Sequence, residues 1–241
     1  DDYDFRRLEE LRTLFMVQLA RVCQPILTEL LVFHPRPFPY EPSSAQMQVR
    51  ELRQAVFGLL ALVSADEREA IFRHYQTADH LDEAVSTFNL CLEMGSPYKE
   101  FVIADFYAKW KDDKAIFNFW LSSQASARDC KATDLCRLEL AEGYDAKNPN
   151  HIRSIYRAFA ANLHAYHEPM GEAYRCMVDK ILEVAQFNPM VAHNHLAVPA
   201  FLDFERMPPK QKGLMAQELE RLRSDRVPAQ TRDWVEKLLR H

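Results

Sequence analysis

Apolar side chains recur at helical spacing along almost the whole chain. One run places Leu8, Leu11, Phe15, Leu19 and Val22 on a single helical face, and similar runs follow it. Spacings of three and four residues predict α-helices, because one turn takes 3.6 residues. Glycine, which hairpin turns and phosphate-binding loops require, accounts for only 5 of the 241 residues. We therefore predict an all-α fold.

Capping signals indicate where several helices begin. Ser64 precedes Glu67 by three residues, as in a capping box. Three pairs, Ser96-Pro97, Asn148-Pro149 and Asn188-Pro189, put a capping side chain before a proline at the first helical position. We predict about a dozen helices, at residues 4–23, 45–62, 66–76, 80–93, 97–110, 113–124, 132–140, 149–161, 170–186, 189–197, 209–223 and 229–240.

Short helices joined by short loops favour stacked antiparallel pairs over one long coiled coil. The predicted architecture is an α-solenoid of the armadillo or HEAT type, with residues 1–241 forming a single helical domain. Four prolines, at positions 35, 37, 39 and 42, interrupt it near the start. Proline rings and missing N–H donors exclude a helix there, so residues 34–42 are expected to form a linker or an extended arm.

Charge and composition exclude several classes of partner. The 30 basic and 35 acidic residues give a net charge of -5, and no stripe of Lys and Arg occurs, so nucleic acid is not expected as a partner. We also expect no membrane association and no signal peptide. The chain lacks an initiator Met, which suggests a piece of a longer polypeptide. Five cysteines without a C-x-x-C pair are typical of reduced thiols, and we expect a cytoplasmic location.

The motifs of common active sites are missing from the sequence. No H-E-x-x-H or G-x-S-x-G occurs, and the five glycines do not cluster into a phosphate loop. Of the close histidine pairs, His193 and His195 would point apart on a helix. His164 and His167 could share a face, and packing or capping is favoured over a metal site there. The carboxylate pair Asp112 and Asp113, at a predicted helix start, is expected to be a cap without a catalytic role.

Three blocks of sequence resemble one enzyme family. Residues 106–113 read F-Y-A-K-W-K-D-D, residues 148–154 read N-P-N-H-I-R-S, and residues 188–192 read N-P-M-V-A. Their order and internal spacing are similar to those of the C-terminal helical domain of bacterial-type aminopeptidase N, a zinc metalloaminopeptidase. The similarity extends from about residue 70 to the end of the chain.

The resemblance implies a function that the chain performs only as part of a larger enzyme. In that family the zinc ligands and catalytic groups lie in an upstream domain, so this chain is expected to hold no zinc, no other cofactor and no catalytic residue. It would close over the catalytic domain and shape a chamber that admits peptide substrates. Arg153 matches a family arginine that faces this chamber, although a structural ion pair is an equal alternative. His193 and Asn194 occupy a stretch where the family often has arginine, and they are the other predicted lining residues.

A second hypothesis needs no enzyme. A free-standing helical-repeat module could bind a segment of another protein on a concave face. It accounts for the helices and leaves the three sequence blocks unexplained. Under the first hypothesis, the surface that the catalytic domain covers would be exposed in the isolated chain, and self-association is then expected.

Overall fold

The computed structural model describes residues 5–93, 95 and 98–240, and most of these residues are helical. No strand occurs among them, so the predicted all-α fold of about a dozen helices is confirmed. The pair Ser96-Pro97 lies outside the described residues. The segments are α1 (Phe5–Phe33), α2 (Ser44–Leu60), α3 (Ala65–Gln76), α4 (Leu81–Glu93), α5 (Lys99–Trp110), α6 (Lys114–Ser126), α7 (Ala132–Glu139), α8 (Pro149–Ile152), a π-helical segment π1 (Arg153–Arg157), α9 (Ala158–Ala161), α10 (Leu163–Tyr166), α11 (Glu172–Val184), α12 (Pro189–Val191), a second π-helical segment π2 (Ala192–Ala197), α13 (Val198–Ala200), a 3-10 turn (Phe204–Arg206), α14 (Pro209–Glu220), a second 3-10 turn (Arg221–Arg223) and α15 (Ala229–Leu239).

The chain divides into two compact units. Residues Arg7–Lys109 form the N-terminal unit, and the described residues from Trp110 onward belong to the C-terminal unit. Each unit has buried apolar side chains of its own. The single domain expected over residues 1–241 stays a prediction.

Predicted helix starts are confirmed where a capping side chain was recognised. The Ser64 hydroxyl accepts a hydrogen bond from the backbone N–H of Glu67 at 3.2 Å, and α3 begins at Ala65, directly after Ser64. The Asp113 carboxylate accepts from the N–H groups of Ala115 and Ile116 and so caps α6. These bonds satisfy amide donors that have no partner within the first turn of a helix.

The first helix is longer than predicted. The sequence indicated an end near residue 23, but α1 continues to Phe33 with Pro25 inside it. Proline removes one backbone hydrogen bond and disfavours a helix interior. Packing accounts for the extension, because Leu27 of α1 is buried in a cluster with Val56 and Leu60 of α2.

The proline-dense segment is non-helical, as predicted, and joins α1 to α2. Its start is fixed by Arg53 of α2, whose Nη1 donates to the carbonyl oxygens of Leu31 at 3.1 Å and His34 at 2.7 Å. The side chain of Arg53 therefore satisfies carbonyls that the end of α1 leaves without a helical partner.

The core of the C-terminal unit is built on α11. Tyr174 on this helix is fully buried, and its ring lies edge-on to that of Tyr166 at 5.2 Å between centroids. The helix begins after Gly171, whose φ of 77° lies in the left-handed region. Glycine adopts that conformation at little cost, which allows the chain to turn sharply into α11.

One helix in the described part of the chain, within Arg7–Phe33, is long and apolar enough to cross a membrane. This statement concerns length and composition only. Helices buried in globular proteins and signal sequences have the same properties, so the expectation of no membrane association stays a prediction.

Candidate functional site

Two Asn-Pro openings start matching segments of the C-terminal unit. The Asn148 side chain accepts a hydrogen bond from the N–H of Asn150 at 2.9 Å, and that of Asn188 accepts from Val191 at 3.2 Å. In each case proline takes the first helical position, where its missing N–H removes no helical bond. The two openings predicted from sequence are therefore confirmed.

Both segments widen into a π-helix after one turn or less of α-helix. The first contains π1 and the second contains π2, and these two segments contact each other. Single π-helical turns within α-helices are rare and occur often at functional sites. The contact between π1 and π2 is therefore the candidate site, and all three predicted lining residues lie on these two segments.

Arg153 is the first residue of π1 and is exposed to solvent. Its Nη2 donates to the Asn150 side-chain oxygen at 3.2 Å, three residues earlier on the same segment. No ion pair joins Arg153 to a carboxylate among the described residues. The alternative of a structural ion pair with a neighbouring helix therefore receives no support from these contacts, and the charge is available to an external anion.

His193 and Asn194 are adjacent on π2 but differ in exposure. Asn194 is exposed, whereas His193 is only 5% exposed. The His193 Nδ1 lies 3.2 Å from the Thr231 hydroxyl, and its ring meets that of Trp234 edge-on. Burial lowers the pKa of His193, so the ring is neutral at pH 7. His193 thus lies beneath the surface that Asn194 helps to form.

The two members of the other histidine pair differ in burial. His167 is buried, and its Nδ1 lies 2.7 Å from the hydroxyl of Tyr174. His164 is exposed. The pair therefore does not present two ligands to one surface.

One potential metal-binding group was missed by the sequence analysis. Ligand atoms of Asp79, His80 and Glu83 lie within 4.8 Å of one another in the N-terminal unit. Arg36 already occupies the position of a cation there. Its Nε donates to Glu83 at 2.9 Å, and its Nη2 donates to Asp79 and to the Thr77 carbonyl, each at 3.1 Å.

A metal ion does not fit this group as it stands. Hydrogen bonding to Glu83 raises the pKa of Arg36 further, so the guanidinium remains charged. The His80 Nδ1 is engaged by Asp79 at 2.6 Å. A zinc ion would have to displace Arg36 from two carboxylates, so the group is an ion-pair network. Arg36 and Glu83 are 47 residues apart in the sequence. No local motif therefore indicated this network.

A pocket of about 390 Å³ lies in the N-terminal unit beside this network. Arg50, Arg53 and His74 contribute to its lining, together with apolar side chains that include Phe57. Burial lowers the pKa of His74, and the nearby Arg53 lowers it further, so this ring is neutral at pH 7. Arg53 is engaged by the carbonyls at the end of α1. The Nη1 of Arg53 thus serves the fold at the edge of this pocket.

Two of the five cysteine thiols, those of Cys91 and Cys176, lie in environments that suppress nucleophilic chemistry. Burial raises the pKa of the Cys91 thiol to about 12 and that of Cys176 to about 11. The thiolate is the reactive form of cysteine, so both residues are inert near pH 7. All five cysteines are free, as the sequence predicted.

Comparison with known proteins connects these features to a family of enzymes. The chain is 25% identical to the aminopeptidase N of Haemophilus influenzae over 191 residues, which cover 78% of this chain and 22% of that protein. It is 24% identical to the aminopeptidase N of Caulobacter vibrioides over 217 residues, covering 89% of this chain and 24% of that protein. The chain therefore spans about a quarter of the length of these bacterial relatives.

The fold is also found in a solved structure. The crystal structure of Legionella pneumophila aminopeptidase A in complex with aspartic acid matches all of this chain and 29% of its own, with a TM-score of 0.89 and 23% identity. A family model described as a domain of unknown function (DUF3458_C) with ARM repeats matches residues 1–240. The predicted armadillo-type architecture is confirmed, and the chain belongs to this family of C-terminal ARM-repeat domains related to aminopeptidase N.

Proposed function

We propose that the chain is the non-catalytic C-terminal domain of a zinc-dependent aminopeptidase that removes N-terminal amino acids from peptides. The observation that carries this proposal is the match of most of this chain to only 22% and 24% of two proteins named aminopeptidase N. The rest of such a protein has room for the catalytic machinery. The isolated chain is then inactive, and its parent is a cytoplasmic bacterial enzyme.

The chemistry of the described residues supports a non-catalytic role. The group of Asp79, His80 and Glu83 is engaged by Arg36, and the thiols of Cys91 and Cys176 have raised pKa values. Zinc in the parent would polarise the scissile carbonyl and activate water from ligands outside this chain. This chain would limit access to that site by covering it.

The exposed residues at the contact between π1 and π2 would line the substrate chamber. Arg153 would bind the C-terminal carboxylate of a peptide, because its charge has no carboxylate partner among the described residues. Asn194 would offer an amide on π2, the segment that π1 contacts. His193 would support π2 from below through Thr231 and would not contact the peptide itself.

The alternative of a free-standing interaction module explains the helices alone. It gives no reason for the similarity to proteins named aminopeptidase N over 78% and 89% of the chain. We therefore favour the enzyme domain.

A reconstitution assay tests the proposal. Turnover of an alanyl chromogenic substrate and of peptides of graded length is measured with zinc for this chain, for the polypeptide encoded upstream, and for their mixture. The chain alone is expected to be inert, and its addition is expected to change the rate or the length preference of the upstream polypeptide. Cleavage by the chain alone, or no effect on mixing, would contradict the proposal.

A substitution tests the role of Arg153 in the joined enzyme. Arg153→Ala is expected to raise KM about tenfold or more for peptides with a free C-terminal carboxylate, because a charge-assisted hydrogen bond contributes roughly 1.5–3 kcal/mol. KM for the same peptides with an amidated C-terminus should not change. Arg206→Ala, which removes a largely exposed arginine of the same unit, is the control. Equal effects on both peptide forms would show that Arg153 does not bind the carboxylate.

A further inference from the structure

The first helix carries a stripe of exposed apolar side chains that is unbroken from Leu8 to Ile26 and resumes at Phe33 beyond the exposed Glu29. At 100° per residue these side chains fall within an arc of about 80° and extend along roughly 37 Å of helix. The stripe consists of Leu8, Leu11, Phe15, Leu19, Val22, Ile26 and Phe33. Val22 is 79% exposed and Ile26 is 61% exposed. An apolar patch of this length is unusual on the surface of an unpartnered soluble protein.

A different face of the same helix is used for the fold of this chain. Ala20 and Leu27 are buried, and Cys23 packs beside the cluster that joins α1 to α2. This face lies about 120° around the helix from the stripe. The third face is polar and includes Gln24 and Thr28, both exposed. Since α1 has two apolar faces and only one of them is buried, the stripe has the composition of an interface that lacks its partner.

We propose that this stripe docks against the part of the parent polypeptide that precedes the chain. The proposal rests on the proposed function and adds to it the surface that joins the two parts. About three quarters of the length of the related proteins has no counterpart here, so most of the parent remains to cover the stripe. The stripe begins at Leu8, near the point where such a polypeptide would enter α1.

The charges of α1 favour a protein partner over a lipid bilayer. Arg7, Glu10 and Arg12 lie in its first half and Arg21 lies just beyond its midpoint, and all of them are exposed. A helix crossing the hydrocarbon along its most apolar stretch would have to bury Arg21, whereas a protein partner can cover the stripe and leave this charge in water. A second copy of this chain is the third possible occupant of the stripe. The experiment distinguishes it from the upstream polypeptide and from a lipid bilayer.

Two matched double variants test the docking. Val22→Glu with Ile26→Glu adds two carboxylates to the stripe, and Gln24→Glu with Thr28→Glu adds two carboxylates with the same spacing to the polar face. All four positions are exposed, so both variants are expected to fold, which circular dichroism and urea unfolding check. Binding to the separately expressed upstream polypeptide is measured by calorimetry, self-association by light scattering, and lipid binding by flotation of vesicles containing phosphatidylethanolamine and phosphatidylglycerol.

The stripe variant is expected to weaken binding to the upstream polypeptide about thirtyfold or more, because the new carboxylates would be buried against apolar groups. The polar-face variant should remain within about twofold of the unmodified chain. In the joined protein, only the stripe variant should lower Tm, while the Tm of the isolated 241-residue chain should stay the same for both.

Other results would overturn the docking proposal. If the stripe variant abolishes only dimerisation, or only vesicle binding, the occupant is a second copy or a membrane. If the stripe variant leaves unchanged both the affinity of the chain for the upstream polypeptide and the Tm of the joined protein, the stripe is not the docking surface. A failure of the chamber role gives a different pattern, in which the fragments bind through the stripe and peptide turnover does not respond to binding.

Discussion

Two glycines of the C-terminal unit are expected to respond oppositely to the same substitution. Gly171 precedes α11 with a φ of 77°, whereas Gly213 lies within α14. A Cβ at Gly171 would lie 3.4 Å from Leu214, which is ordinary contact, and a Cβ at Gly213 would meet nothing within 4 Å. Neither alanine therefore causes a serious clash, and backbone conformation decides both outcomes.

The expected magnitudes follow from the two conformations. Alanine at Gly171 must adopt a left-handed conformation, so Gly171→Ala should lower the free energy of unfolding by about 1–2 kcal/mol. Gly213→Ala replaces a glycine in an exposed helix interior and should raise that free energy by about 0.8–1 kcal/mol. The two variants should therefore differ by about 2–3 kcal/mol.

Urea unfolding of the isolated chain, followed by circular dichroism and tryptophan fluorescence, measures this difference. Both glycines belong to one unit, so both substitutions act on the same unfolding transition. The midpoint should move down for Gly171→Ala and up for Gly213→Ala, with the slope m unchanged. A shift of both midpoints in the same direction, or an unchanged midpoint for Gly171→Ala, would refute the reasoning from backbone conformation.

Three further predictions concern contacts away from the candidate site. The Asp145 N–H donates to the Nδ1 of His151, and burial lowers the pKa of that ring from 6.5, so the unfolded chain binds the proton more readily. The free energy of unfolding should therefore fall as the pH drops below about 6.5, by at most ~1.4 kcal/mol per pH unit. His151→Gln should make the urea midpoint depend less on pH between about pH 7.5 and 5.5. Arg36→Ala should cost about 2–3 kcal/mol because it leaves Glu83 without its partner, and Arg36→Lys should recover only part of this loss in thermal unfolding. Asn162→Ala removes a cap of α10 and a 2.8 Å bond to the Ala127 carbonyl, and should cost about 2 kcal/mol in urea unfolding, whereas Asn162→Asp should retain the cap alone.

Local signals in the sequence were sufficient to predict where many helices begin. Ser64, Asp113, Asn148 and Asn188 each accept hydrogen bonds from backbone amides two or three residues ahead. Such contacts depend on a few neighbouring residues, so the sequence contains all the information that they need. The end of α1 depends instead on Leu27 packing against α2, and the unfavourable Pro25 is tolerated for that reason.

The candidate site was only partly predictable. The resemblance identified the segments that contain Arg153, His193 and Asn194. The sequence did not predict that these segments widen into π-helices, because the widening produces no distinct spacing of apolar residues. Burial of His193 depends on Thr231, which is 38 residues away in sequence. An exposed residue and a buried one can therefore be adjacent on π2 without any local signal to distinguish them.

The apolar pattern of α1 shows how periodicity can correctly predict a helix and still leave the identity of its core face open. Leu8, Leu11, Phe15, Leu19 and Val22 predicted a helix here, and every one of them is exposed. Periodicity reports which side chains share a face, and it does not report what covers that face. In a chain that spans about a quarter of the length of its relatives, a stripe that none of the described residues covers is the pattern expected of a surface that the remainder buries. The docking experiment substitutes one of these five residues, Val22, together with Ile26 on the same stripe.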